Sequence, residues 1–275
     1  MNYRLGLIGY PIAHSLSPWI HRQFLDSCHL EGSYELIEIN AEKDFSESIS
    51  SLKTKELDGF NITVPYKEKI LPFLDEIDGS AKEIGAVNTV HCKNGEWIGY
   101  NTDGIGYVRS LQYEFPELVK NKTKKILILG AGGAVRGVLE PLLAQHPAEV
   151  CIANRTVEKA EQLAREFADL GPMTACGYDW IDAPVDIIIN GTSASLSGEL
   201  PPLASTLIKA KHTICYDMMY GRQTTIFNQW AQSQDAARTL DGLGMLVEQA
   251  AEAFYLWTGV RPNPAPVLQQ LRAQL

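Results

Sequence analysis

The apolar run Lys125–Leu129, followed at once by Gly130-Ala131-Gly132-Gly133-Ala134, constrains the fold more than any other segment. A strand that is apolar throughout needs cover on both faces, which points to a parallel sheet flanked by helices. A glycine turn between such a strand and a helix brings backbone N–H groups close to an anion, where the helix dipole is favourable. Gly130 and Gly132 fit the first two glycines of G-x-G-x-x-G, and Val135 stands at the third position. A second apolar strand, Glu149–Ala153, ends about 20 residues further on, the spacing of a dinucleotide-binding βαβ unit.

That second strand runs into Asn154-Arg155-Thr156, with Lys159 one turn later. An NAD site usually places a carboxylate there, to hold the ribose 2′-hydroxyl. A carboxylate would repel a 2′-phosphate, whereas a guanidinium grips it through two charge-assisted bonds. The residues therefore predict NADP rather than NAD.

Strand and helix patterns alternate along the chain, the signature of an α/β fold. Strands are predicted at Arg4–Gly9, Tyr34–Ile39 and Gly59–Val64, then at Ala86–Cys92 and Trp97–Asn101. The last two flank Lys93-Asn94-Gly95, whose Asn-Gly is a hairpin signal, and this hairpin is expected at the edge of a first sheet. Ser17-Pro18 reads as a helix start, with Ser17 as cap. A helix runs from Asp103-Gly104 towards Tyr113, and 120–125 reads as a linker. Further strands are predicted at Val185–Asn190 and Thr213–Asp217, with helices at Val135–Gln145 and Val157–Phe167. A long helix covers Gly244–Thr258, and Pro262, Pro264 and Pro266 separate it from a short final helix.

Among the 275 residues, hydrophobic content of 45% and charged content of 21% are ordinary for a globular protein. A formal charge of −9 gives no basic footprint for nucleic acid or an anionic membrane. The five cysteines stand singly, which suits a reducing compartment and inert thiols, and the histidines show no metal-ligand spacing. The N-terminus lacks a signal-peptide pattern and no run is long enough to span a bilayer, so a cytoplasmic protein is expected, with no metal.

Polar residues gather in the first half. Along Phe60-Asn61-Ile62-Thr63-Val64, alternation puts Asn61 and Thr63 on one face. Pro65 is expected to begin a helix, placing Lys67 in a first turn that is already partly positive. A lysine there either snorkels into water or has its pKa lowered for proton transfer. Asp103 reads as a helix cap or as the partner of such a lysine. Ser17 reads as a helix cap, or Ser15 and Ser17 together as two hydroxyls aimed at a carboxylate. Gln249 sits on a partly apolar helix face, after the tight loop Asp241-Gly242-Leu243-Gly244-Met245.

Taken in order, these motifs resemble the shikimate dehydrogenase family over nearly the whole chain. They are Ser15-Leu16-Ser17-Pro18, Asn61 to Lys67, Gly85-Ala86-Val87-Asn88-Thr89, Asn101-Thr102-Asp103-Gly104, Gly130–Ala134, Asn154-Arg155-Thr156, Tyr216-Asp217-Met218-Met219-Tyr220, and Asp241–Val247 leading to Gln249. The resemblance implies an N-terminal α/β substrate domain, residues 1–103 with 241–275, and a Rossmann-like doubly wound NADP-binding domain, residues 104–240. The C-terminal helices would return to the substrate domain. It implies Lys67 as the acid/base residue coupled to Asp103. Ser15, Ser17 and Tyr220 would bind the substrate carboxylate, and Asn61, Thr63, Asn88, Asp103 and Gln249 its ring hydroxyls. Gly130, Ala131, Gly132, Gly133 and Ala134 would take the pyrophosphate, and Asn154, Arg155, Thr156 and Lys159 the 2′-phosphate. Met218 and Gly242 would line the nicotinamide side. The Val135 departure agrees with the family, whose turn ends in Gly-Gly-Ala.

The reaction so implied is reversible NADPH-linked reduction of 3-dehydroshikimate to shikimate, by a monomer or homodimer, in a cleft that closes over both ligands. An NAD-linked quinate/shikimate dehydrogenase is the near alternative, and Arg155 stands against it. A non-catalytic sensor of the pathway's metabolites is the alternative from another class. The retained lysine and glycine turn, with no spare length for a DNA-binding domain, stand against that one.

Overall fold

A computed structural model of the chain describes residues 2–40, 44–114, 123–181, 183–192, 194 and 198–275. The chain divides into two compact units, Met1–Gly106 with Val247–Gln270, and Tyr107–Leu246 with Leu271–Leu275.

The first unit is built on a mixed sheet of β1 (Asn2–Gly9), β2 (Glu31–Glu38), β3 (Gly59–Ile62), β4 (Glu76–Ile77), β5 (Thr89–Lys93) and β6 (Glu96–Tyr100), in the order β2-β1-β3-β5-β6-β4. Strand β1 pairs parallel with β2 and β3, and the β5–β6 hairpin pairs antiparallel with β3. Asn94 and Gly95 turn that hairpin at φ 54° and 86°, as an Asn-Gly turn requires. The hairpin is not the sheet edge, because the two-residue β4 pairs outside β6. So short a strand carries no periodic signal.

Helices α1 (Ser17–Ser27), α2 (Phe45–Lys53) and α3 (Gly79–Ile84) connect these strands. Ser17 is inside α1 rather than its cap. Leu16 holds the cap position without a side-chain bond, and the Ser15 hydroxyl accepts the Ser17 N–H at 3.2 Å. Pro65 begins no helix: residues 64–65 and 67–70 form turns, followed by a single 3-10 turn at Leu71–Phe73. Val87 N–H takes the Lys67 carbonyl at 2.9 Å, so that carbonyl serves the neighbouring chain instead of a helical ladder.

Helix α4 (Asp103–Glu114) carries the chain out of this unit, and α8 (Leu243–Thr258), numbered in chain order, brings it back from Val247. Gly59 makes room for α8: a Cβ there would lie 2.2 Å from the Trp257 indole, whose Nε1–H donates to Val90 O at 2.9 Å.

The second unit has an all-parallel sheet of β7 (Lys125–Leu129), β8 (Glu149–Ala153), β9 (Met173–Cys176), β10 (Ile187–Asn190), β11 (Ile214–Asp217) and β12 (Arg238–Leu240). Its order, β12-β11-β10-β7-β8-β9, is that of a doubly wound dinucleotide fold. From Ile126 to Leu129 strand β7 is apolar and buried, for the expected reason. Ile126 and Ile128 enter the core under α4, α5 (Gly133–Leu143) and α6 (Val157–Glu166), while Leu127 and Leu129 face a second core with α7 (Ile226–Ser233).

The spacing of Val135, Val138, Leu139, Leu142 and Leu143 is that of a helix with one buried face, and all five are buried. Of the expected linker 120–125, the first three residues lie outside the described residues, and Lys125 already belongs to β7. Pro264 and Pro266 fall within the first turn of the final helix, α9 (Pro264–Gln274), rather than before it. A proline there gives up only an N–H that has no partner in the helix anyway.

Candidate active site

In the first unit the polar residues of β3, the β5 approach and the start of α4 form one connected network. Lys67 Nζ lies 2.5 Å from Asp103 Oδ2, and the other carboxylate oxygen accepts from Asn88 Nδ2 at 2.8 Å. The two charged side chains keep 30% and 22% of their exposure, so the pair is partly shielded from water yet still reachable by a ligand. Asp103 is the first residue of α4, but both of its oxygens serve side chains rather than capping the helix.

Asn88 is 3% exposed and holds Asp103 from a fixed amide orientation. Its second amide hydrogen goes to Thr102 Oγ1 at 3.1 Å, and its Oδ1 accepts the Thr102 N–H at 2.8 Å and the Thr89 hydroxyl at 2.9 Å. Thr102 reaches Gln249 Oε1 at 3.4 Å, which ties α8 to the network. Gly106 permits that approach, since a Cβ there would lie 2.6 Å from the Gln249 backbone nitrogen.

Asn61 is 6% exposed and spends its amide hydrogens on Asn88 O and Thr89 Oγ1, while its Oδ1 accepts the Tyr34 hydroxyl at 2.8 Å. The Ser17 hydroxyl bonds to that same phenol, whose pKa burial pushes up. Tyr34 stacks on His21 at 4.3 Å between centroids, and burial drives the imidazole down to about 3, so it is neutral at physiological pH. Thr63 is half-buried just past the end of β3. Ser15, Ser17, Asn61, Thr63, Lys67, Asn88, Asp103 and Gln249 all belong to this unit, whereas Tyr220 belongs to the other.

In the second unit the glycine turn, Asn154 and Arg155 line one cavity of about 630 Å³. Gly130 adopts φ 100°, a left-handed conformation that favours glycine, and its N–H donates to Ala153 O at 2.8 Å. Gly132 caps α5 with no side-chain acceptor, which leaves the first-turn N–H groups for a ligand. A Cβ at Gly132 or Gly133 would meet nothing within 4 Å, so the space above the turn is open. These features fit the pyrophosphate of a dinucleotide.

Arg155 and Lys159 are exposed, Thr156 caps α6, and Asn154 Nδ2 donates to the Thr156 carbonyl at 2.9 Å. Met218 is 7% exposed beneath the site, and it is Met219 that lines the cavity. Gly242 packs against the Met218 carbonyl, where a Cβ would lie 2.1 Å from the oxygen.

Several residues escape sequence reasoning. Thr89 and Thr102 lie inside quoted motifs, yet a threonine gives no sign of which way its hydroxyl turns. Asn190 and Asp217 are both fully buried and bonded at 3.1 Å. Together they orient Thr192, through its hydroxyl at 2.7 Å, and Met219, through its N–H at 3.1 Å. Tyr178, Thr192 and Met219 line the cavity.

A doubly wound sheet with a glycine-turn cavity, joined to a unit carrying a lysine–carboxylate pair, defines a dinucleotide-dependent dehydrogenase. Family models match the chain in three stretches: the shikimate dehydrogenase substrate binding domain at residues 7–90, shikimate/quinate 5-dehydrogenase at 113–197, and the shikimate 5′-dehydrogenase C-terminal domain at 242–272. A curated NADP(+) shikimate dehydrogenase of Cellvibrio japonicus is 49% identical over 98% of this chain and 97% of its own. Among solved structures, shikimate 5-dehydrogenase of Thermus thermophilus, in complex with NADP(H) and shikimate, superposes with a TM-score of 0.86 at 33% identity, covering 99% of this chain and 100% of that one. An Ael1 enzyme from Pseudomonas putida gives 0.91 at 38% identity, with 98% of each chain covered. The chain belongs to the shikimate dehydrogenase family.

Proposed function

We propose that the chain is an NADP-linked shikimate dehydrogenase that interconverts 3-dehydroshikimate and shikimate, with Lys67 as its acid/base residue. The observation that carries this is the 2.5 Å contact between Lys67 Nζ and an Asp103 carboxylate already braced by Asn88. NADPH, when bound, supplies the hydride that reduces the ring ketone.

The Lys67 ammonium donates its proton to the oxygen of that ketone as it becomes a hydroxyl, and in the oxidative direction the amine takes the proton back. Asp103 keeps the ammonium charged and aimed, and Asn88 keeps Asp103 from turning away. Ser15, Ser17 and Tyr220 bind the substrate carboxylate. Asn61, Thr63, Asp103 and Gln249 bind ring hydroxyls.

Asn61 offers the substrate only an acceptor, because both of its amide hydrogens are committed within the unit. Asn88 is saturated in the same way, so it acts on the substrate chiefly through Asp103. Gly130 to Ala134 cradle the pyrophosphate. Asn154, Arg155, Thr156 and Lys159 hold the 2′-phosphate, and Met218 with Gly242 backs the nicotinamide. The unit containing Lys67 is the substrate domain and the doubly wound unit the cofactor domain, in a cytoplasmic enzyme.

Lys67→Ala is expected to lower kcat by about 10²–10⁴, the usual range for losing a general acid/base, with a smaller effect on KM. Steady-state assay of that variant at saturating ligands is the test. A near-normal kcat would remove Lys67 from the mechanism.

A further inference from the structure

The cofactor cavity contains an aromatic side chain that the roles above leave unused. Tyr178 follows β9 by two residues and opens the 3-10 turn Tyr178–Trp180, capped by Gly177. Strand β9 pairs in parallel with β8, Ala153 opposite Cys176, and the Asn154 N–H donates to Cys176 O at 3.1 Å. The exit of β9 is therefore fastened beside Asn154-Arg155, where the ribose of the adenosine half is held.

Tyr178 lines the same cavity as the glycine turn, Asn154 and Arg155, and Leu200, Pro201 and Pro202 add apolar surface to it. The ring is half-buried and packs against the core shared with Leu207 and Phe227. Burial pushes the phenol up from its ordinary value, and the Arg155 guanidinium opposes that shift, so the two side chains lie within electrostatic reach. A flat aromatic face among apolar side chains, next to a cation that takes a sugar phosphate, is the environment a purine base on that sugar needs.

On the reading that this cavity takes NADP, we propose that Tyr178 is the wall against which the adenine base stacks. The stack uses the face of the ring and not the hydroxyl. It contributes to affinity for the adenosine half of the cofactor and leaves the nicotinamide half untouched.

The test is calorimetric titration of the full-length protein with 2′,5′-ADP, NADP and nicotinamide mononucleotide, for wild type, Tyr178→Ala and Tyr178→Phe. Stacking on one aromatic side chain corresponds to about 5–100-fold in affinity. Tyr178→Ala should weaken 2′,5′-ADP and NADP by that factor, with nicotinamide mononucleotide unchanged, while Tyr178→Phe stays within about twofold of wild type on the same scale. If Tyr178→Ala does not fold, Tyr178→Leu, which keeps apolar bulk without an aromatic face, serves in its place with the same loss expected.

Equal binding of 2′,5′-ADP by wild type and the alanine or leucine variant overturns the inference and leaves the NADP reading standing. So does an equal loss in Tyr178→Phe, which would assign the effect to the hydroxyl. A wild-type protein that binds no 2′,5′-ADP overturns the NADP reading and the inference with it.

Discussion

Asp103 spends one carboxylate oxygen on the Lys67 ammonium and the other on the Asn88 amide, and this division of labour sets what each residue can do. A carboxylate fixed on both sides cannot rotate to follow solvent, so the ammonium beside it keeps one geometry for the proposed proton transfer. Behind this pair the polar network ends on Tyr34, whose ring is stacked on the neutral His21. His21 has a pKa near 3 when folded, below its ordinary 6.5, so the unfolded chain binds the proton first as pH falls. Its contribution to stability is complete above about pH 6.5 and is lost progressively below it. Between pH 7 and pH 5 this single group should remove about 2 kcal/mol of unfolding free energy. Urea unfolding at the two pH values, in wild type and His21→Phe, checks it: the variant should show a smaller loss, and identical losses would acquit His21. None of this was legible from the sequence, where His21 is one of six unremarked histidines. Lys67 and Asp103 were legible as candidates, yet 36 residues of chain separate them and only the fold brings them within 2.5 Å.

At the scale of elements, the position where the glycine fingerprint fails shows how packing replaces pattern. The third glycine of such a turn normally allows helix and strand to approach closely. Here Val135 occupies it, fully buried, and the room is made across the site: a Cβ on Gly191, at the exit of β10, would lie 2.3 Å from Val135 Cγ2. Gly191→Ala should therefore cost about 1–3 kcal/mol through overpacking. Combined with Val135→Ala, which vacates that space, it should cost less than the two single losses summed. Denaturant unfolding of both single variants and the double variant measures the coupling, and strictly additive losses would contradict the contact. The strand at β7 and the helix α5 were readable because burial on both faces, or on one helical face, leaves a period in the sequence. Strands β4 and β12, two and three residues long, leave none, and the sequence predicts a helix where Lys67 sits in a turn, because the Val87 bond to its carbonyl is a tertiary fact. Tyr178 leaves no sequence signal for the same reason: its neighbour Arg155 lies on the adjoining strand's exit, not nearby in sequence.

Across the whole molecule the chain carries a net charge of −9, yet its proposed cofactor is a polyanion. The attraction must then be local, from the N–H groups of the glycine turn and from Arg155 and Lys159, rather than from the overall field. That locality makes cofactor choice the most exposed part of the account, since a few residues decide it. Sequence motifs spread over both units identify the family, and on the proposed reading the units divide the work: one holds the ketone and the proton, the other the dinucleotide. On that reading the two halves belong to one NADP-linked shikimate dehydrogenase. Absorbance at the nicotinamide band, crossing shikimate and quinate with NADP and NAD, tests it most directly. Rapid reduction is expected with shikimate and NADP, with shikimate and NAD slower by at least about tenfold, as loss of a single charge-assisted contact implies. Equal rates with NAD would contradict the role given to Arg155 and Lys159, and no turnover of shikimate with either cofactor would contradict the account as a whole.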